Sequence, residues 1–148
     1  MCTINELLVS KGTRILTVTP DVSVYEATTR MNAHKCGAVV VVDRENPRQI
    51  VGIFTERDVL KRIVGELRHP DLVCVGDVMT HDVRTCDRLV NIADAAEIMR
   101  DHRVRHLPVV DEQGQLVGLI SIGDINAHFV SEQQARIDEL YDYIGGRG

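Results

Sequence analysis

Two pairs of side chains combine a hydroxyl with a carboxylate three residues further on, each directly after an apolar run. The pairs are Thr55 with Asp58 and Ser121 with Asp124. A hydroxyl and free backbone N–H groups at a helix start attract a phosphate, and a carboxylate one turn on can accept hydrogen bonds from both hydroxyls of a ribose. The same spacing is also that of a capping box. Helix capping alone is therefore the alternative to nucleotide chemistry.

The other reactive side chains form no recognisable catalytic or metal-binding pattern. The sequence has no Gly-x-Ser-x-Gly elbow, no His-Glu-x-x-His pair and no P-loop. His34, His69, His81, His102 and His128 have no ligand spacing with cysteines or carboxylates. We therefore expect no metal site and no catalytic cofactor, and an enzyme acting on nucleotides is the least favoured class.

The composition indicates a globular chain with an aliphatic core. Of the 148 residues, 44% are hydrophobic, 26% are charged and 3% are aromatic. The net charge of −5 gives no broad basic surface, which argues against nucleic acid as a partner. No apolar run reaches membrane-spanning length and no signal-peptide pattern opens the chain. We expect a cytoplasmic protein without a membrane partner.

The chain contains an internal repeat, which is the observation that decides its organisation. The first repeat, Ile15–Asp58, aligns with the second repeat, Val83–Asp124, at a shift of 68 residues that falls to 66 after Asp43. The change in length falls in a turn, where a duplicated fold tolerates it. The two hydroxyl–carboxylate pairs are therefore equivalent positions of the two repeats.

The sequence pattern of each repeat predicts the element order β-α-β-β-α. Short strands at Ile15–Val18 and Val83–Thr85 lead into helices with N-cap signals at Ser23 and Asn91. Two β-rich runs follow in each repeat, and the closing helix starts at the hydroxyl residue. The runs are Ala38–Val42 and Ile50–Phe54, then Leu107–Val110 and Leu116–Ile120. The pattern predicts an α/β (α+β) fold with small mixed sheets and helices on one face of each.

We divide the chain at residue 72. Residues 1–72 then hold a short N-terminal helix and the first repeat, and residues 73–148 hold the second repeat with a helical extension over Ser131–Ile144. A repeat of about sixty residues has a marginal core by itself. We expect the two tandem repeats to pack as one module with pseudo-two-fold symmetry.

Motifs at equivalent places in both repeats resemble those of the CBS-domain pair, or Bateman module. They are Gly52-Ile-Phe-Thr-Glu-Arg-Asp58 and Gly118-Leu-Ile-Ser-Ile-Gly-Asp124, with Arg103-Val-Arg-His-Leu-Pro-Val-Val-Asp111 and Gly76-Asp-Val-Met-Thr80. The resemblance extends from about Leu7 to the C-terminus. Among CBS pairs, the chain is most similar to stand-alone bacterial proteins and to the plant single-pair CBSX proteins.

The resemblance implies a nucleotide site built from three groups of residues. Ribose and phosphate contacts are assigned to Thr55, Arg57, Asp58, Ser121, Gly123 and Asp124. Further phosphate contacts are assigned to Lys35, Arg105 and His106. The adenine pocket is assigned to Thr17, Thr19, Pro20, Gly37, Ala38, Val39, Leu107 and Pro108. Simpler interpretations stay open, since arginines are often only surface charge and apolar strand residues are usually only core.

The two repeats differ at some of these positions. Gly37–Ala38 stand in the first repeat where Arg105–His106 stand in the second, and Val40 stands in place of Pro108. The two crevices are therefore unequal. Either one or two of them are occupied, and different nucleotides can occupy them.

The resemblance implies a regulatory module that holds an adenosine-containing ligand between its repeats. The candidates are AMP, ADP, ATP, NAD(H) and S-adenosylmethionine. Such a module senses energy or redox state and modulates an effector protein, which must here be a separate chain. The family also implies a homodimer. The alternative is a dimerisation adaptor that acts without any ligand.

Overall fold

The computed structural model of the chain describes residues 2–12 and 14–145. This part of the chain contains two three-stranded sheets with flanking helices. In chain order the elements are α1 (Ile4–Lys11), β1 (Thr17–Val18), α2 (Val24–His34), β2 (Ala38–Val42), β3 (Ile50–Thr55), α3 (Glu56–Asp58), α4 (Val75–Val78), β4 (Cys86–Asp87), α5 (Ile92–His102), β5 (His106–Val110), β6 (Leu116–Ser121) and α6 (Ile122–Gly145). A π-type turn over Val59–Val64 continues α3, and a 3₁₀ turn at Pro70–Leu72 precedes α4.

The two sheets have the same topology. β1 is parallel to β2 and β2 is antiparallel to β3, as β4 is parallel to β5 and β5 antiparallel to β6. The register places Ala38 opposite Thr55 and His106 opposite Ser121. Each motif hydroxyl therefore lies where a strand pair ends and a helix begins. The mixed α/β fold with two tandem repeats is confirmed.

The first strand of the second repeat lies later than predicted. The prediction of a strand at Val83–Thr85 is wrong, because β4 covers Cys86–Asp87. In the first sheet the Val40 N–H donates to the Leu16 carbonyl at 3.3 Å. The equivalent position in β5 is Pro108, which has no N–H to donate. Strand pairing in the second sheet therefore begins further along the chain.

The two long helices of the repeats begin and end alike. The side chains of Ser23 and Asn91 each accept a hydrogen bond from the backbone N–H of the third helical residue, as the N-cap signals predicted. α2 and α5 both end at a basic residue with left-handed backbone, Lys35 at φ 53° and Arg103 at φ 54°. This conformation turns the chain from each helix into the following strand.

Each sheet buries both of its faces. One face packs under the long helix of its own repeat, with Met31 of α2 in the first core and Met99 of α5 in the second. The other faces of the two sheets meet at a third apolar cluster formed by Val40, Val42 and Leu116. β2 is therefore apolar along its whole length because it is covered on both sides.

Two arms are exchanged between the repeats. The first arm, α1, precedes the first repeat, but its buried Ile4 belongs to the core of the second repeat. The second arm, residues 73–80, precedes the second repeat, but its buried Val75 belongs to the core of the first. Ile4 N–H donates to the Val90 carbonyl and Val75 N–H donates to the Val22 carbonyl, both at 2.8 Å. Each core is therefore completed by the segment that precedes the other repeat.

The glycines that open the two motifs make room for these arms. A β-carbon added to Gly52 would overlap the side chain of Met79 in the second arm. One added to Gly118 would lie 2.7 Å from a methyl carbon of Leu8 in the first arm. The glycines are required by this close approach of another segment, as is common where packing leaves no space for a side chain.

α6 extends well past the second repeat. Ile125 is the buried residue of this helix, near its start. Beyond Ser131 the exposed large apolar side chains are Ile137, Leu140, Tyr141, Tyr143 and Ile144. In residues 2–12 and 14–145 the structure has no helix with the length and apolarity that a membrane span requires.

Candidate functional site

Two clefts lie between the repeats, and each contains one of the hydroxyl–carboxylate pairs. The first cleft, a cavity of about 220 Å³, is lined by Thr55, Arg57 and Asp58 of the first repeat and by Arg84, Arg103 and Arg105 of the second. The second cleft, of about 610 Å³, is lined by Ser121 and Asp124 of the second repeat and by Thr17, Lys35 and Ala38 of the first. A ligand in either cleft would therefore contact both repeats.

Asp58 is held in a complete capping box at the first cleft. The Thr55 N–H donates to Asp58 Oδ2 at 3.0 Å, and the Asp58 N–H donates to Thr55 Oγ1 at 3.4 Å. The Thr80 hydroxyl donates to Asp58 Oδ1 at 3.1 Å, and Asp58 is only 5% exposed. The capping interpretation is therefore correct for this pair. It does not exclude a ligand, because the same bonds fix the carboxylate at the cavity wall.

Asp124 keeps the capping contacts at the second cleft and has a charged partner inside that cleft, whereas Arg62, 3.8 Å from Asp58, lines neither cleft. The Ser121 N–H donates to Asp124 Oδ2 at 2.8 Å, and the Asp124 N–H donates to Ser121 Oγ at 3.1 Å. The Lys11 ammonium lies 2.6 Å from the same carboxylate oxygen. Burial raises the pKa of Asp124, but hydrogen bonds from Lys11 and the Ser121 backbone outweigh this, so the pKa lies below its ordinary value.

Basic side chains gather at the clefts of a chain whose net charge is −5. Those at the first cleft are Arg57, Arg84, Arg103 and Arg105. Those at the second cleft are Lys11, Arg14 and Lys35. Guanidinium and ammonium groups grouped in this way are suited to bind phosphate oxygens.

Arg57 connects the two repeats across the first cleft. Its Nη1 donates to the backbone carbonyl of Arg103 at 3.3 Å. The guanidinium is exposed and still lines the cavity. Arg57 can therefore face solvent and also reach a phosphate in the cleft, so the two interpretations of this residue are compatible.

His106 lies between the clefts and lines both of them. Burial lowers the pKa of His106, and the charges around it act in both directions. Glu56 and Asp124 favour the protonated imidazole, whereas Lys11 and Arg105 oppose it. The imidazole is therefore mainly neutral near pH 7, with one nitrogen able to donate and the other able to accept a hydrogen bond.

The structure brings many of the predicted site residues to the clefts. At the first cleft lie Thr55, Arg57, Asp58 and Arg105; at the second lie Thr17, Lys35, Ala38, Ser121 and Asp124; Gly37 and His106 line both. The predicted residues that line neither cleft are Thr19, Pro20, Val39, Leu107, Pro108 and Gly123.

The predicted residues outside the clefts have other surroundings. Val39 and Leu107 are fully buried in the cores under the helices. The Pro20 carbonyl accepts the Gly76 N–H of the second arm at 2.9 Å. The adenine role of these residues stays a prediction.

Some cleft residues were missed by the sequence analysis. Thr80 belongs to a motif that was noted without a role, and its hydroxyl contacts Asp58. Lys11 lies 113 positions from Asp124 in the chain, so nothing in the sequence joined them. Arg14 and Arg84 likewise carried no signal. Across the described residues, no three His, Cys, Asp or Glu side chains lie close enough together to hold a metal ion.

Known proteins share this architecture. The CBS domain family matches residues 9–65 and 75–131. The mitochondrial CBS domain-containing protein CBSX3 of Arabidopsis thaliana is 35% identical over 150 residues, which cover 97% of this chain and 72% of that protein. A solved CBS-domain protein from Agrobacterium tumefaciens is 41% identical with a TM-score of 0.78, covering 85% of this chain and 98% of that one.

A further solved structure carries a ligand. It is a CBS domain protein from Pyrobaculum aerophilum complexed with AMP, 29% identical with a TM-score of 0.74, covering 82% of this chain and 88% of that one. Its similarity extends over both repeats, as does the match to the family. The chain belongs to the CBS domain family and consists of two CBS domains that form a pair.

Proposed function

We propose that the chain is a regulatory module that binds an adenine nucleotide in the clefts between its CBS domains. CBS pairs are in general regulatory modules without catalysis. One observation carries the proposal: each cleft combines a carboxylate fixed by backbone N–H groups with basic side chains from the facing repeat. The AMP held by the Pyrobaculum aerophilum relative supports an adenosine ligand.

The cleft geometry suits the separate parts of a nucleotide. The two ribose hydroxyls donate hydrogen bonds to Asp58 or Asp124. The capping contacts hold the carboxylate oxygens in place for this role. Phosphates lie against the helix start and the basic side chains. The main chain around Gly37, which lines both clefts, provides hydrogen-bonding groups for the adenine edge.

The regulatory output follows from the position of the clefts. A ligand that contacts both repeats stabilises whichever mutual arrangement gives it the better contacts, and it shifts the population only by that difference in affinity. AMP, ADP, ATP, NAD(H) and S-adenosylmethionine are the candidate ligands. The four arginines at the first cleft favour the ligands that carry phosphates. In this proposal the chain is cytoplasmic and modulates an effector protein.

Thermal unfolding in the presence of AMP, ATP, NADH and S-adenosylmethionine tests the proposal. A ligand that binds only the folded chain adds about 2.7 kcal/mol of stability at roughly 100 times its Kd. We expect at least one of them to raise the Tm of the wild type and to leave the Asp58→Asn, Asp124→Asn double variant unchanged. If none of the four changes the Tm of nucleotide-free protein, the sensor proposal is wrong.

A ligand-independent adaptor is the second candidate function. An apolar surface at the turn after α3 supports it, with Leu60, Val64 and Leu67 exposed by 66%, 60% and 95%. Burying such a surface against a second copy would form the homodimer that we propose for either function. Sedimentation of nucleotide-free protein tests the homodimer, which Val64→Glu should dissociate. The adaptor alone predicts that partner binding is unaffected by nucleotide and unchanged in the double asparagine variant.

A further inference from the structure

Lys11, the last residue of α1, fills part of the second cleft. Its ammonium donates to the Leu119 carbonyl at 2.8 Å and to Asp124 Oδ2 at 2.6 Å. The Lys11 and Asp124 side chains are 35% and 24% exposed. The carboxylate that our proposed function assigns to the ribose is therefore already engaged by a cation from the first arm.

The first cleft has the same two acceptors but a different donor. Ile53 and Asp58 are the equivalents of Leu119 and Asp124, and Thr80 contacts both. The Thr80 N–H donates to the Ile53 carbonyl at 2.9 Å, and its hydroxyl donates to Asp58 at 3.1 Å. Thr80 is fixed because the Ile53 N–H also donates back to the Thr80 carbonyl at 3.0 Å.

The two donors have different chemical consequences. Thr80 is neutral and held by its backbone, so it stays in place when Asp58 accepts further hydrogen bonds. Lys11 is charged and reaches Asp124 through a flexible four-carbon stem. A ribose at Asp124 must therefore share the carboxylate with the ammonium or displace it.

The cost of that displacement depends on the ligand. A phosphate in the same cleft offers the ammonium a new anionic partner, and a charge-assisted bond to it replaces the one lost. An uncharged nucleoside offers none, so the Lys11–Asp124 contact is broken without replacement. Arg14 and Lys35, which also line this cleft, further favour an anion.

We propose that Lys11 is a specificity-determining residue that makes the second cleft select phosphorylated adenosine ligands over uncharged ones. This inference rests on the proposed nucleotide function, and it assigns a ligand class to one of the two clefts. At the first cleft the charged partner of Asp58 is Arg62, whose guanidinium lies 3.8 Å from Oδ1. Arg62 also donates to the Val78 and Met79 carbonyls at 2.8 and 2.9 Å and lines neither cleft, so the place that Lys11 has inside the second cleft is taken by the neutral Thr80 in the first.

Isothermal titration with AMP and adenosine tests the inference in an Asp58→Asn background, which isolates the second cleft. We expect AMP to bind more tightly than adenosine, and Lys11→Met to reduce this preference about two- to fivefold, the scale of one partly exposed ion pair. Lys11→Arg retains the charge and should retain the preference. Lys61→Met, the same change at an exposed lysine away from both clefts, should leave it unaltered.

The outcomes separate this inference from the function on which it rests. An AMP-to-adenosine ratio that is the same with and without Lys11, in protein whose AMP binding requires Asp124, overturns the role of Lys11 alone. Wild-type protein that binds neither AMP nor adenosine overturns this inference, and the nucleotide function falls with it when ATP, NADH and S-adenosylmethionine also fail to bind. NMR titration of the Asp124 carboxyl carbon in ligand-free protein gives a further check. The pKa of Asp124 should rise in Lys11→Met, and an unchanged titration contradicts the contact.

Discussion

At the scale of single residues, basic side chains occupy positions that backbone stability does not favour. Lys35 and Arg103 end α2 and α5 with φ of 53° and 54°, where glycine is the residue with the least strain. Both residues line clefts. The positions therefore combine local strain with a location suited to binding, as is common for functional residues.

Replacing one of these residues should separate stability from binding. We expect Lys35→Gly to raise the free energy of unfolding by about 0.5–1 kcal/mol, because a left-handed conformation costs an L-residue more than glycine, and to weaken AMP binding at the second cleft. Lys61→Gly, at a position without positive φ, should instead lose stability. Urea unfolding measures both, and a less stable Lys35→Gly variant would contradict this account of the strain.

His106 gives the folded chain a specific dependence on pH. Its pKa is lowered by burial below the ordinary value of 6.5, so the unfolded chain binds a proton that the folded chain does not. Stability therefore decreases as pH falls through about 6.5 towards the folded pKa. We expect the midpoint of urea unfolding to depend less on pH in His106→Gln than in the wild type between pH 5 and 7.5 (about the titration range of histidine).

A matched change at an exposed histidine serves as the control. His81→Gln should leave the pH dependence of the wild type intact, because His81 is exposed. If the His106→Gln and wild-type midpoints fall in parallel over this range, the slope has another source. Glu56, Lys11, Asp124 and Arg105 are the charged groups that act on His106, and their variants would then be measured.

At the scale of elements, the motif glycines test the exchange of arms. In Gly52→Ala the new methyl would overlap Met79 and lie 3.0 Å from the backbone carbonyl of Thr80. We expect a loss of about 1–3 kcal/mol in the free energy of unfolding, which is typical of overpacking. Gly52→Ala should cost less in a Met79→Ala background, because the smaller side chain removes the overlap.

Gly145→Ala is the matched control for that substitution. Nothing lies within 4 Å of a β-carbon added there, so this change should be neutral or slightly stabilising. A Gly52→Ala variant as stable as Gly145→Ala would mean that the second arm does not pack closely on β3.

Local signals explain which elements were predictable. Ser23 and Asn91 cap their helices as expected because an N-cap depends on residues three apart. β2 and β5 were recognisable from continuous apolar runs. The start of β4 was misplaced because it depends on Pro108, a residue of the partner strand. The exchange of arms had no signal, since it joins segments far apart in the chain.

The same limit applies to the candidate site: residues in local motifs were predictable, and residues brought to the clefts by packing were not. The hydroxyl–carboxylate pairs and Arg105 were found because each lies in a short motif beside a strand. Lys11 and Arg84 reach the clefts only through the packing of one repeat on the other. Val39 and Leu107 were assigned to the adenine pocket, but the structure places their side chains in the cores. A strand pattern alone does not tell which face meets a ligand.

At the scale of the whole molecule, the proposed function depends on the interface between the repeats. The sheets meet at an apolar cluster, each arm completes the opposite core, and both clefts open at this interface. His106 contributes to both clefts, so an anion in one changes the electrostatic environment of the other. A nucleotide between the repeats is therefore suited to report its presence through their mutual arrangement.

The most direct test of the central claim is isothermal titration of nucleotide-free protein with AMP, ATP, NADH and S-adenosylmethionine. We expect micromolar binding of at least one of them, reduced by Asp58→Asn or Asp124→Asn according to the cleft used and abolished when both are changed. Absence of binding for all four, or binding that the double variant retains in full, would contradict the assignment of these carboxylates to a nucleotide.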